Sequence, residues 1–228
     1  MKRYILISII LALALSVQLS IAAKPIAVII KAKGESSIDR SSESKKQTIK
    51  LGMRLFHGDK IQTGKKGFVA LKFVDDGSLV RVRSNSSLSI EGEEEEKSIV
   101  KNILMEFGSI FSRITKKRSE FRVTTPTSVA SVKGTAFWTV QEFKGATRYF
   151  GEEGVVEISN ESGSALLKEG ETGIVTSSNS KPIVRKTQPG EKPKKSADDS
   201  SIDEFQFEIE DEEGNTQDLK FKVKEKTN

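Results

Sequence analysis

From Pro25 to Val175, apolar and polar residues alternate with a period of two, in runs crowded with β-branched and aromatic side chains and broken by Gly, Asp, Asn and Ser. A strand turns successive side chains to opposite faces, so this pattern predicts many short strands, each with one face toward a core. The chain has no Cys, which removes a disulfide framework, thiolate catalysis, zinc fingers, iron–sulfur clusters and a lipid-modified N-terminal cysteine. Its core must hold by packing alone. The expectation is an all-β fold, either an elongated β-roll or solenoid-like module or a sandwich.

The clearest unit is the run from Phe68 to Ile90. Val69, Leu71 and Phe73 share one face, Asp75-Asp76-Gly77-Ser78 supplies a turn, and Val80 and Val82 alternate with Arg81 and Arg83. A β-hairpin is predicted there. Further strands are expected at 27–31, 102–107, 109–114, 120–124, 128–132, 136–143, 147–150, 154–159 and 171–176. Gly58, Gly108 and Gly170 each come shortly after an apolar residue and just before a polar one, and they read as turns leading into strands, where glycine accepts a positive φ. The acidic run Glu93–Glu96 is expected at a solvated loop tip, because it lacks the spacing and the glycine of a calcium loop.

Residues 1–23 open with Lys2 and Arg3, continue as an apolar run and end in small residues around Ser20, Ala22 and Ala23. This is the pattern of an export signal peptide, with an uncleaved membrane anchor as the alternative reading; membrane contact is expected only in that second case. Either reading sends the remainder to the periplasm or another exported site. Residues 24–176 then form the β domain, and 177–203 are polar, with Pro and Lys, and read as a linker. In the tail, 204–224, Phe205, Phe207 and Ile209 alternate with acids or Gln, and Leu219, Phe221 and Val223 alternate with Lys. This predicts a hairpin with one apolar face and Glu set against Lys on the other. A lone two-stranded ribbon is marginal in water, so these six residues are the candidate partner contact unless the β domain covers them.

Chemistry is sparse. No P-loop, GxGxxG, HExxH or GxSxG string occurs, and the single His57 sits in an ordinary turn sequence. No catalytic residue, metal ligand or cofactor is expected. The net charge of +5 is interspersed and lacks any nucleic-acid-binding module, so nucleic acid is not an expected partner.

Several blocks nonetheless occur in a telling order. Leu55-x-x-Gly58-Asp59-x-Ile61-x-Thr63-Gly64 is followed by Asp76-Gly77-Ser78-x-Val80-x-Val82 and Ser87-x-x-Ile90. Then come Gly108-Ser109-Ile110, Phe121-x-Val123-x-Thr125-Pro126, Val129-Ala130-x-Val132-x-Gly134-Thr135-x-Phe137 and Glu153-Gly154-x-Val156. This series closely resembles the FecR domain of extracytoplasmic signalling proteins, over roughly Gly34 to Val175. The resemblance implies an all-β module outside the cytoplasmic membrane with no active site, in which these Gly, Asp, Ser, Thr and Pro positions are structural. The best-known members add a cytoplasmic anti-sigma segment and a membrane helix. With a leader at Met1, the expectation here is a free-standing exported domain that binds an envelope protein or wall polymer. A retained signalling role is the alternative, and an envelope hydrolase has no residue in its favour.

Overall fold

In a computed structural model, residues 24–40, 46–95, 98–115, 120–194, 204–210 and 216–222 are described. Residues 1–23, where a leader is expected, lie outside them. Among the described residues no helix is long and apolar enough to cross a membrane.

The period-two pattern resolves into β1 (Ala27–Lys33), β2 (Ser36–Asp39), β3 (Gln47–Thr48), β4 (Arg54–Leu55), β5 (Asp59–Thr63), β6 (Phe68–Phe73), β7 (Leu79–Val82) and β8 (Ser86–Glu95). A long β9 (Ser98–Arg113) follows, then β10 (Phe121–Thr124), β11 (Val129–Val132), β12 (Ala136–Gln141), β13 (Thr147–Glu153), β14 (Val155–Asn160), β15 (Gly163–Lys168), β16 (Glu171–Val175) and β17 (Ile183–Lys186). The tail holds β18 (Glu204–Glu210) and β19 (Thr216–Lys222).

Two sheets form, and β9 belongs to both. The first runs β4-β1-β6-β7-β9-β12-β13-β16-β17. The second runs β3-β2-β5-β8-β9-β10-β11-β14-β15. Residues 98–107 of β9 pair in the second sheet and 108–113 in the first, so β9 is a seam with four strands on each side in each sheet. Every pairing is antiparallel except β9 with β10. Of the architectures anticipated, this is the sandwich, folded over one shared strand.

The core lies between the sheets. Ile29, Val69, Leu71, Val80 and Phe137 from the first meet Ile38, Ile61, Leu88, Ile103 and Val123 from the second, and all are completely or almost completely buried. Each such side chain contributes about 1.5–3 kcal/mol by leaving water. The 68–82 hairpin forms as expected, with Val69 opposite Val82 and Leu71 opposite Val80.

Four expectations need correction. The strands expected at 102–107 and 109–114 are one strand, because Gly108, at φ +109°, lets β9 cross from sheet to sheet without a turn. Gly58 and Gly170 do occupy turns at positive φ. The acidic run is not all loop: Glu93, Glu94 and Glu95 pair with Val100, Ile99 and Ser98 as the far end of the β8–β9 ribbon, and Glu96 lies outside the described residues. The strand expected at 136–143 stops at Gln141, which leaves Phe143 in a turn and 70% exposed. Finally, the polar stretch after Val175 is not all linker, since β17 pairs with β16 and extends the first sheet.

Candidate functional site

The motif residues fall on corners and on two buried polar nodes. Gly58, Gly134 and Gly154 lie at positive φ where the chain passes between the sheets. At Gly154 a β-carbon would sit 2.9 Å from Thr135 Cγ2 and 3.1 Å from the carbonyl of Gly134, so these three residues close one corner together. Asp59, buried at another corner, accepts the Phe56 N–H at 2.9 Å and pairs with Arg40 at 3.4 Å. His57 is exposed, with Nδ1 against the Gly92 backbone.

The first node holds Asp76, Gly77 and Ser78. Gly77 supplies the turn at φ +73°. Asp76 accepts the N–H and the hydroxyl of Ser78 at 2.8 and 2.9 Å and the Lys101 ammonium at 2.6 Å. Asp75 meets the same ammonium at 2.7 Å. Burial pushes the Asp76 carboxyl up, but the hydrogen bonds from Lys101 and Ser78 outweigh it and hold the group below the usual aspartate value. Sequence reasoning missed Lys101, which is completely buried. The signal was there: Lys101 shares a strand face with Ile103 and Met105, both core residues.

The second node holds Thr125 beside the exposed Pro126. Thr125 Oγ1 contacts Thr147 Oγ1 at 3.0 Å, Thr147 donates to Gln141 Oε1, and the Gln141 amide donates to the carbonyls of Glu142 and Gly145 at 2.7 and 3.0 Å. Ser128 Oγ lies 2.9 Å from the Tyr149 hydroxyl. This chain of hydroxyls ties the β10–β11 turn of one sheet to the β12–β13 hairpin of the other. Burial pushes the Tyr149 phenol up to about 12, against smaller opposing hydrogen bonds from Ser128 and Thr125. With folded pKa above the unfolded value of 10, its stability contribution is complete below pH 10 and fades as pH climbs toward about 12. Absorbance titration of protein lacking residues 1–23, and with them Tyr4, should show no phenolate near pH 10 until the chain unfolds; ordinary ionisation at pH 10 in folded protein would contradict this.

Both nodes are spent on internal hydrogen bonds, and no group of three or more metal-binding side chains occurs among the described residues. The outer face of the first sheet is different. Phe111 and Trp138 pack at 5.1 Å, with Arg81 and Arg113 over Phe111 and Arg83 over Trp138 at 5.4, 5.8 and 5.7 Å. Residues 187–194 cross this face as a strap. Glu191 takes two hydrogen bonds from the Arg185 guanidinium, Lys192 pairs with Glu152 at 2.9 Å, and Arg83 donates to the Lys194 carbonyl at 3.2 Å. A cavity of about 520 Å³ lies beside it, lined by Phe150, Ile174 and Pro193 among others.

The Arg185 hydrogen bonds, helped by the Gln188 N–H, hold Glu191 down at about 2. Because the folded value is depressed, the contact is complete above pH 4.5 and weakens as pH falls toward about 2. After correction for the intrinsic pH dependence of amide exchange, the protection of the Gln188 N–H should therefore fall in that interval while the sheets stay protected, and protection unchanged with pH would refute the assignment.

In the tail, β18 and β19 pair antiparallel, with Phe205 opposite Phe221 and Phe207 opposite Leu219. The register puts Ile209 opposite Gln217; Val223 and the turn lie outside the described residues. Glu204 faces Lys222 as expected, but Glu208 faces Asp218, so the acid-against-lysine pattern holds only in part.

Residues 59–157 match the family model for FecR protein. The chain carries a FecR domain. The match spans β5 to β14, and the structure adds β1–β4 and β15–β17 to the edges of the same two FecR sheets. Two crystal structures of a candidate anti-sigma factor from Parabacteroides distasonis ATCC 8503 are similar at 19% identity, with TM-scores of 0.48 and 0.49. Each alignment covers 56% of this chain and 59% of the other, so the likeness spans about three fifths of those proteins. No curated protein matches the chain.

Proposed function

We propose that the protein is a non-catalytic regulatory module of cell-envelope signalling, exported across the cytoplasmic membrane, whose FecR domain holds the C-terminal ribbon for contact with an envelope protein. The observation that carries this reading is the FecR match over 59–157, laid on a sandwich whose polar motif residues are engaged in corners and internal nodes. Among the described residues the polar motif side chains are spent on the domain's own architecture and form no constellation of nucleophile, base and orienting group, which favours binding over catalysis. The ribbon supports the same reading: its register aligns Phe205, Phe207, Leu219 and Phe221 in a two-stranded sheet that pairs with neither large sheet. Such a ribbon gains stability from whatever covers those residues.

The test is in-cell crosslinking with mass spectrometry of what is captured, using the full chain, a Phe207→Glu variant and a chain ending at Lys194, which keeps the strap. Capture of a membrane-embedded regulator or receptor, lost in both variants, is the expected result. Capture unchanged by both variants, or recovery of wall glycan alone, would overturn the signalling reading; the latter would make the domain an anchoring module.

A further inference from the structure

The Lys101 node has the parts that a self-forming amide bond needs. Nζ of Lys101 stands 2.6 Å from Oδ2 of Asp76 and 2.7 Å from Oδ2 of Asp75. A contact that short leaves the carboxyl carbon about 3–3.5 Å away, the separation of a near-attack geometry. The Lys101 side chain is fully buried and that of Asp76 is 2% exposed. The ammonium lies over the Phe73 ring, 5.3 Å from its centroid, and Phe73 packs edge-on against Phe121. A condensation that releases water is favoured where water is kept out.

The two oxygens of Asp76 are also held differently. Oδ1 accepts the Ser78 N–H at 2.8 Å, whereas Oδ2 accepts the Ser78 hydroxyl at 2.9 Å and faces the lysine. The hydroxyl is itself fixed by the Thr115 N–H, which donates to Ser78 Oγ at 3.1 Å. One oxygen is thus placed to stay and the other to leave.

We propose that Lys101 and Asp76 condense into an intramolecular isopeptide bond, joining β9 to the β6–β7 turn, with Asp75 as the proton carrier. The ammonium first passes a proton to Oδ2 of Asp76, which removes both charges from a buried site. The Nζ lone pair then attacks Cγ. The C–N bond forms, and the electron pair of the C=O bond moves onto Oδ1, where the Ser78 N–H stabilises it as an oxyanion donor does. Asp75 takes a proton from Nζ and delivers it to Oδ2. The C–Oδ2 bond breaks, water leaves, and the Oδ1 pair restores the C=O bond. One ammonium and one carboxylate become one secondary amide and one water, with no oxidant and no co-reactant. The proposal is independent of the signalling reading.

The experiment is mass spectrometry of the purified, denatured protein with its N-terminus determined, intact and after trypsin, before and after prolonged incubation. The expected result is a chain lighter by one water. Trypsin should then yield residues 73–81 joined to an uncut 98–113, because an acylated Lys101 is no longer a cleavage site. Folded Asp75→Ala and Lys101→Arg variants should keep full mass. Three outcomes would overturn the proposal: full mass with cleavage after Lys101 in the native sequence, which marks a plain ion triad; a water loss confined to 73–81, which marks a succinimide at Asp76-Gly77; or the joined species undiminished in Asp75→Ala, which would remove Asp75 from the reaction.

Discussion

Lys101→Met should destabilise the protein by about 3–5 kcal/mol, the range for removing one partner from a buried ion pair. Methionine fills much the same volume, so the loss comes from electrostatics rather than from a cavity. Asp76, with a side chain 2% exposed, would lose the cation that sits 2.6 Å from its carboxylate, and only part of that solvation can be made up by Ser78. That range is for the ionic contact; where the isopeptide bond has formed the loss should be larger, because methionine also removes a cross-link that constrains the unfolded chain. Urea unfolding gives the number. Adding Asp76→Asn to Lys101→Met should recover part of it, since a neutral amide needs no cation and its oxygen can still accept the Ser78 N–H. A loss under about 1 kcal/mol in the single variant would show that water reaches the node and screens it as it does a surface pair.

Gly108→Ala should cost about 2–4 kcal/mol, combining the strain of a left-handed conformation with that of an overpacked site. At φ +109° an alanine is strained wherever it stands. Here the added carbon would also lie 2.2 Å from Ser86 Oγ and 2.4 Å from Ser86 Cβ. Ser86 cannot easily retreat, because its hydroxyl accepts the Ser109 N–H at 3.0 Å and its own N–H is held by Thr63 at 3.0 Å. The position matters beyond its local clash: it is the point at which β9 leaves one sheet for the other, so a shift there disturbs pairing with β7 and β12 as well as with β8. Gly52→Ala makes the control. Its φ is +78°, but nothing lies within 4 Å of the added carbon, so it should show the backbone strain alone. Equal losses at the two sites, measured by denaturant unfolding, would mean that the seam is no more constrained than a surface turn.

Phe143 shows how a pattern reader errs at strand ends. Ala136 to Phe143 alternates well enough to predict one strand, yet Gln141 ends it by turning its amide onto the carbonyls of Glu142 and Gly145. That turn depends on Thr147 and, through it, on Thr125 of the other sheet. Nothing local to 136–143 encodes it. Ile183–Lys186 failed for a related reason: a four-residue strand with two basic residues is polar in composition, and it is fixed by β16 and by the Arg185–Glu191 contact.

The sequence by itself determined that the chain is all-β, that Phe68 to Val82 is a hairpin, and that Gly58, Gly77 and Gly170 mark turns. These follow from period-two alternation and from positive φ, both of which are local consequences of covalent geometry. It also carried the ordered blocks of the FecR domain. Only the tertiary structure decided that β9 serves both sheets, that β10 runs parallel to it, and that Lys101 meets Asp75 and Asp76 across 25 residues of chain. Alternation says which face of a strand is buried but not which strand lies beside it. That choice is made by long-range packing, where a lysine in an apolar register must find its carboxylates and a row of hydroxyls must find one another before either can be buried.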